Sequence, residues 1–144
     1  MTFDQAFERL IGHEGGYVWD KADPGGETKY GISRRSHPGE DIKGMTLARA
    51  KQIYLREYWG PAGCDAVPDA IRFDLFDCAV NSGPGRAIKL AQYVLHQKVD
   101  GSLGPKTLAA IHEADPVEFI EDYSQRRLDF LKSLPTWATF GGGW

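Results

Sequence analysis

Cysteine is scarce in this 144-residue chain, with only Cys64 and Cys78 present. Neither cysteine belongs to a CxxC pair or has a pair of histidines nearby at zinc-ligand spacing, which argues against a structural metal site. Two cysteines permit a disulfide but do not demand one. Because Cys78 lies in an apolar run, we interpret it first as a buried free thiol.

Long apolar runs and an excess of positive charge are also missing. No window approaches the length of a membrane span, and the first residues lack the basic start and apolar stretch of a signal peptide. We therefore expect a protein made in the cytoplasm that something else carries outward. The formal net charge of −3 argues against nucleic-acid binding by bulk phosphate attraction. The basic pairs Arg34-Arg35 and Arg126-Arg127 are interpreted first as solvated surface.

Helical periodicity dominates the chain and predicts a mainly α, α+β fold in one domain over 1–144. The stretch between Gly15 and Ser36 is different, because its glycines and short β-prone pieces, such as Lys29–Ile32, predict a small hairpin or loop. Capping and apolar spacing predict six helices. They begin near Thr2, Thr46, Asp69, Pro84, Pro105 and Asp115.

The feature most suggestive of chemistry is a carboxylate at the end of the first predicted helix. Glu14 precedes Asp23 by nine residues, and Thr28 follows five further on. The partial negative charge at a helix C-terminus raises a carboxyl pKa, as a general acid at neutral pH requires, whereas a turn carboxylate such as Asp23 stays ionised. One carboxyl would protonate the leaving oxygen of a glycoside while the other, with a hydroxyl partner, would orient water on the far face.

Simpler interpretations remain open at this point. A glutamate before two glycines is often an ordinary helix-end residue, and Asp-Pro-Gly-Gly is usually just a turn. The spacing alone therefore does not decide between a catalytic pair and a structural loop, nor between inversion and retention of configuration.

The motifs of this segment closely resemble the signature of the glycoside hydrolase family 108 N-acetylmuramidases, phage and bacterial lysozymes. The matching runs are Glu14-Gly15-Gly16-Tyr17, Asp23-Pro24-Gly25-Gly26-Glu27-Thr28 and Tyr30-Gly31-Ile32-Ser33. The resemblance implies a lysozyme-like fold and places the catalytic acid at Glu14. Asp23 and Thr28 are taken over from the similar order of residues in phage-T4-type lysozymes.

The second half resembles the helical peptidoglycan-binding region that accompanies this family, through the runs 77–83 and 100–107. This implies a catalytic lobe over 1–66 and a peptidoglycan-binding-like lobe over 67–144. Tyr30, in the excursion, is a candidate for stacking on a sugar ring, and Asn81 for hydrogen bonding to an N-acetyl group. An ordinary helix-capping role for Asn81 is the alternative. The family commonly continues beyond a terminal Gly-Trp, whereas this sequence stops at Trp144.

The expected function is hydrolysis of the β-1,4 bond between N-acetylmuramic acid and N-acetylglucosamine in bacterial peptidoglycan. We expect a monomer that uses neither a cofactor nor a metal and that binds glycan strands rather than nucleic acid or membrane. A phage endolysin released through a holin and a bacterial effector exported by a secretion system both fit. The alternative functions are a peptidoglycan-binding module without catalysis and a lytic transglycosylase.

Overall fold

The computed structural model describes residues 1–11, 16–19 and 26–135. Helices dominate the described residues, and the strands are short. In chain order the elements are α1 (Phe3–Ile11), β1 (Val18–Trp19), β2 (Glu27–Lys29), β3 (Ile32–Ser33), α2 (Leu47–Tyr54), a π-helical turn (Leu55–Trp59), α3 (Gly60–Ala62), two 3-10 turns (Cys64–Ala66 and Asp69–Ile71), α4 (Arg72–Ser82), α5 (Pro84–Val94), α6 (Pro105–Glu113) and α7 (Pro116–Ser133).

Helix α1 begins as predicted, with Thr2 as its cap. The Thr2 hydroxyl accepts a hydrogen bond from the Gln5 backbone N–H at 3.2 Å, and the Gln5 side chain accepts one from the Thr2 N–H at 2.9 Å. This reciprocal capping box satisfies two N–H groups that a helix start otherwise leaves unpaired. Ala6 and Phe7 are buried on the inner face of α1, and the helix ends at Ile11.

The predicted excursion is a three-stranded antiparallel sheet in the order β1-β2-β3. The residue pairs Val18 with Thr28, and Lys29 with Ile32, fix the register. The run Lys29–Ile32, expected as one β-prone piece, is instead two strand ends around a two-residue turn. Tyr30 and Gly31 both have positive φ angles, 52° and 75°, as a tight hairpin turn of the I′ type requires.

The second helical segment begins and ends where the sequence predicts, at Thr46 and Gly63, but it is less regular than expected. Thr46 caps α2, its side chain accepting from the Arg49 N–H, but after Tyr54 the chain makes one π-helical turn. A π-turn inserts an extra residue, so Tyr54 and Trp59, five positions apart, are both buried. Helical spacing places Leu47 on the same predicted inward face as Ala50 and Tyr54, and this is wrong for Leu47, which is 46% exposed.

Helix α4 lies at the centre of the molecule, in agreement with its apolar sequence. One hydrophobic cluster joins α1, the sheet, α2 and the later helices through residues such as Phe7, Ile32, Phe76 and Tyr123. Within it, the ring centroids of Trp59 and Phe76 are 5.3 Å apart in an edge-to-face arrangement.

Both cysteines are buried free thiols, as the apolar surroundings of Cys78 suggested. Burial raises the pKa of the Cys64 thiol to about 12, so it remains protonated and unreactive at neutral pH.

Helix α7 packs on α5, and the buried Tyr123 hydroxyl donates to the Ala87 carbonyl oxygen at 2.9 Å. Helical spacing predicts that Val117 on α7 faces inward, but it is 66% exposed, because the buried face of α7 is set by Phe119 and Tyr123. Arg127 is likewise not solvated surface: its guanidinium donates to Asp77 on α4 at 2.8 Å.

The prediction of a mainly α, lysozyme-like fold with a small β excursion is confirmed. In the part of the chain that the structure describes, no helix has both the length and the apolar character needed to cross a membrane.

Candidate active site

Thr28 lies on the central strand of the sheet. Its register partners are Val18 on β1 and Ser33 on β3, so these three residues share one face. Thr28 is half-buried, and Ser33 holds the chain beyond β3 by accepting from the Ser36 N–H at 3.1 Å. The sheet therefore presents two hydroxyl-bearing side chains side by side on one face.

The turn between β2 and β3 is anchored to the core by a single tyrosine. The buried Tyr54 hydroxyl on α2 donates to the Tyr30 carbonyl oxygen at 2.8 Å. A Cβ on Gly31 would overlap this hydroxyl, so the glycine is required both by its positive φ and by the close approach of Tyr54. Burial raises the pKa of Tyr54 well above its ordinary value, which keeps the hydroxyl protonated as a donor.

The same turn lies against the end of α1. The Cδ1 atom of Ile11, the last residue of the helix, is 3.4 Å from the position a Cβ would take on Gly31. The hairpin that carries Thr28 is thus packed at the helix end from which the chain leads on to Glu14, three residues later in the sequence.

Glu14 and Asp23 themselves lie outside the described residues. Glu14 lies two residues before Gly16, and Asp23 lies three residues before Gly26; these glycines are the first residues of the next two described ranges. Their roles as acid and partner therefore stay predictions. The described part of this segment consists of a helix end, a hairpin turn packed on it, and the strand of Thr28.

Tyr30, predicted to stack on a sugar, occupies the first position of the hairpin turn. It is half-buried, and its φ of 52° is rare for a residue other than glycine, asparagine or aspartate. The Lys29 ammonium is 5.6 Å from the centroid of the Tyr30 ring. Tyr30 therefore has a strained backbone at the place where α1, α2 and the sheet meet, a feature that is frequent at functional sites.

Asn81, the other predicted contact residue, lies in the last turn of α4. Its side chain is exposed. It is not the residue that ends the helix, because that place is taken by Gly83, with a φ of 88° and its N–H bonded to the Ala79 carbonyl oxygen. The capping alternative for Asn81 is therefore wrong, and its proposed contact with an N-acetyl group stays a prediction.

Glu27 directly precedes Thr28 on β2 and was not among the predicted site residues. Its carboxylate accepts from the Arg34 guanidinium at 2.6 Å and from the Tyr17 hydroxyl at 2.9 Å. The bond from Arg34, followed by that from Tyr17, lowers the pKa of Glu27 and keeps it ionised. Since side chains alternate along a strand, Glu27 projects from the face opposite Thr28 and ties the three strands together.

A second carboxylate pairs with an imidazole at the π-helical turn. The Nε2 atom of His37 is 2.7 Å from a carboxylate oxygen of Glu57, and this contact holds the loop after β3 against the turn. Among the described residues, no group of three or more His, Cys, Asp or Glu side chains is arranged to hold a metal ion.

Comparison with known proteins agrees with this architecture. The family model described as Glycosyl hydrolase 108 matches residues 7–83. The solved structure of SagA from Brucella abortus is similar, with 36% sequence identity and a TM-score of 0.87, over 99% of this chain and 86% of that one. A search among curated proteins finds no match.

The family match spans the segment from α1 to the end of α4, which contains the sheet, Thr28 and Tyr30 and continues to Asn81. The similarity to SagA extends over nearly the whole chain. The protein belongs to the glycosyl hydrolase 108 family and is a glycoside hydrolase with a glycan as its class of substrate.

Proposed function

We propose that this glycoside hydrolase is a muramidase that cleaves the β-1,4 bond between N-acetylmuramic acid and N-acetylglucosamine in bacterial peptidoglycan. The observation that carries the proposal is the packing of the Tyr30-Gly31 turn against the end of α1. This contact joins two separate parts of the family signature, the helix that leads to Glu14 and the strand that bears Thr28.

In the proposed mechanism Glu14 is the general acid that protonates the leaving glycosidic oxygen. Asp23 remains ionised, and together with the Thr28 hydroxyl it orients a water molecule on the opposite face of the sugar. A carboxyl separation of roughly 6.5–9.5 Å would invert the anomeric configuration, whereas about 5–5.5 Å would retain it. Tyr30 and Asn81 are proposed to contact the bound glycan.

The location of the enzyme's action follows from this proposal. We propose that the protein acts as a monomer on the cell wall after synthesis in a host cytoplasm. It would reach the wall as a phage endolysin released through a holin, or as cargo of a secretion system. The division into a catalytic lobe over 1–66 and a glycan-binding lobe over 67–144 is likewise a proposal.

The test of Glu14 is its isosteric amide. Glu14→Gln cannot donate the proton, and the expected result is a loss of cell-wall clearing by about two to four orders of magnitude at unchanged thermal stability. The matched control is Glu8→Gln, which makes the same change at an exposed position of α1 and is expected to clear walls at the wild-type rate. Wild-type clearing by Glu14→Gln would refute the assignment.

A further inference from the structure

An open cavity of about 280 Å³ lies between α5 and α7, on elements that the candidate active site does not use. We name it the cationic groove. Its volume is near the lower limit of small-ligand sites, which are about 300–1,000 Å³, and suits a short segment rather than a long chain. It is lined by Arg86, Lys89, Tyr93, Arg126, Asp129 and Phe130, among others.

Two arginines of the groove lie on aromatic rings across the helix pair. The guanidinium carbon of Arg126 is 3.8 Å from the centroid of Tyr93, and that of Arg86 is 4.8 Å from the centroid of Phe130. A cation–π contact with a ring face uses no N–H donor of the guanidinium, so the N–H groups of both arginines remain available to a carboxylate.

The charge of the groove is uncompensated. It holds three cations, Arg86, Lys89 and Arg126, and one anion, Asp129. In the described part of the chain, none of the three cations forms an ion pair. The groove thus concentrates positive charge on a protein whose net charge is −3.

A cavity at the other end of the same helix pair has the opposite character. It is lined by Asp115, Glu118 and Asp122, together with His96. A third cavity between these two is lined by Asp122, Arg126 and Asp129 and is mixed in charge, so positive charge is in excess only at one end of the α5–α7 interface. An anionic ligand would be attracted to that end and repelled by the other.

Apolar surface accompanies the cations. Tyr93 is 52% exposed and Val99, at the same cavity, is 48% exposed. An exposed tyrosine beside cationic donors offers a flat surface for a sugar ring or an aliphatic stem, with partners for a carboxylate next to it.

We propose that the cationic groove is an accessory, noncatalytic binding site for a carboxylate-bearing unit of the wall glycan. The carboxylate would contact Arg86, Lys89 and Arg126, and the sugar or peptide stem would lie on Tyr93. The inference rests on the proposed function, because it takes peptidoglycan, with the free carboxylates of its stem peptides, as the polymer bound. Such a site would hold the enzyme on an anionic polymer that its net charge disfavours.

The test is cosedimentation of the full-length protein with purified peptidoglycan sacculi, in the Glu14→Gln background so that the sacculi stay intact. Arg126→Gln is expected to weaken binding roughly three- to tenfold, and Arg126→Lys by less, because it keeps the charge. Asp129→Asn, which removes the anion from an exposed position, is expected to strengthen binding. The control Lys43→Gln removes one charge from the loop before α2 and is expected to bind like the parent.

A second arm identifies the group recognised. Sacculi whose carboxyl groups have been amidated should bind all variants equally and weakly. Equal binding of Arg126→Gln, Asp129→Asn and the parent to native sacculi would overturn the proposal. So would undiminished, groove-dependent binding to amidated sacculi. Asp129→Asn keeps the test decisive if Arg126→Gln loosens the α5–α7 contact.

Failure of the proposed function has a separate readout. In that case the wild-type protein would release no reducing ends from the same native sacculi. Failure of the accessory site alone leaves this release intact while Arg126→Gln and Asp129→Asn bind like the parent.

Discussion

At the scale of single residues, Tyr54 holds the hairpin of the candidate site in place. Its hydroxyl is the anchor of a turn whose two residues both have positive φ. A left-handed backbone at Tyr30 costs free energy that the surrounding contacts must offset. The Tyr54 bond is one such contact, and it connects α2 to the strand that bears Thr28.

Tyr54→Phe is therefore expected to lower the free energy of unfolding by about 1–2 kcal/mol, because a partly buried carbonyl loses its donor. Activity should fall mainly in kcat, since the hairpin carrying Thr28 would be less well fixed. Chemical denaturation and wall-clearing kinetics measure the two effects. Tyr58→Phe, on the neighbouring half-buried ring, is the control, and equal stability of the two variants would contradict the anchoring role.

The ion pair between Glu27 and Arg34 could have been predicted from the sequence. Pairing Thr28 with Ser33 and Lys29 with Ile32 across a two-residue turn places Glu27 opposite Arg34, which is a cross-strand ion pair. The signal was available once Tyr30-Gly31 was taken as the turn. Glu14, by contrast, was assigned from the family signature and Asp23 from the similar order of residues in phage-T4-type lysozymes, and the described residues test neither.

At the scale of elements, the connection between α5 and α6 owes its shape to one buried glutamine. The Gln92 amide donates to the Asp100 carboxylate at 2.8 Å and to the Ser102 carbonyl oxygen at 2.9 Å. Its oxygen accepts from the N–H groups of Asp100 and Gly101. These bonds give the Asp100–Pro105 turn a structural role that does not require a glycan.

Gln92→Leu should destabilise the protein by about 2–4 kcal/mol, because it leaves several partly buried partners without a bond. Urea unfolding followed by circular dichroism measures this loss. Gln125→Leu is the control: its amide bonds to Asp129 on the exposed face of α7, and such i,i+4 pairs contribute about 0.2–0.5 kcal/mol. If both variants unfold at the same urea concentration, Gln92 does not hold the turn.

Helix limits proved the most predictable part of the elements, because caps are local chemistry. Thr2, Thr46 and the prolines at 84, 105 and 116 start helices where the sequence predicts. The π-helical turn after Tyr54 was not predicted, since nothing local distinguishes it from a continuing α-helix. The extra residue of the π-helical turn allows Trp59 to pack against Phe76.

At the scale of the whole molecule, three carboxylates link stability to pH. Hydrogen bonds from Arg34, Arg49 and the Ser102 N–H lower the pKa values of Glu27, Glu40 and Asp100, respectively. A lowered folded-state pKa contributes stability above the unfolded pKa, and that contribution is lost as the pH falls through the folded value. Among the described carboxylates, burial raises the pKa of Asp74, which acts in the opposite direction.

We therefore expect the urea concentration at the unfolding midpoint to decrease as the pH is lowered from about 6 to about 3. Denaturation at a series of pH values measures it. Glu27→Gln should give a shallower decline, because one of the three titrating groups is removed. A midpoint that is constant or rises on acidification would show that the hydrogen bonds to these carboxylates do not contribute to stability.

The central claim for the whole molecule is that it hydrolyses the muramyl bond of peptidoglycan. Mass spectrometry of the soluble products of a wall digest tests it most directly. The account predicts muropeptides that end in reducing N-acetylmuramic acid and carry one added water per bond cut. Anhydromuramic products, reducing-end N-acetylglucosamine, or the absence of any soluble muropeptide would contradict it.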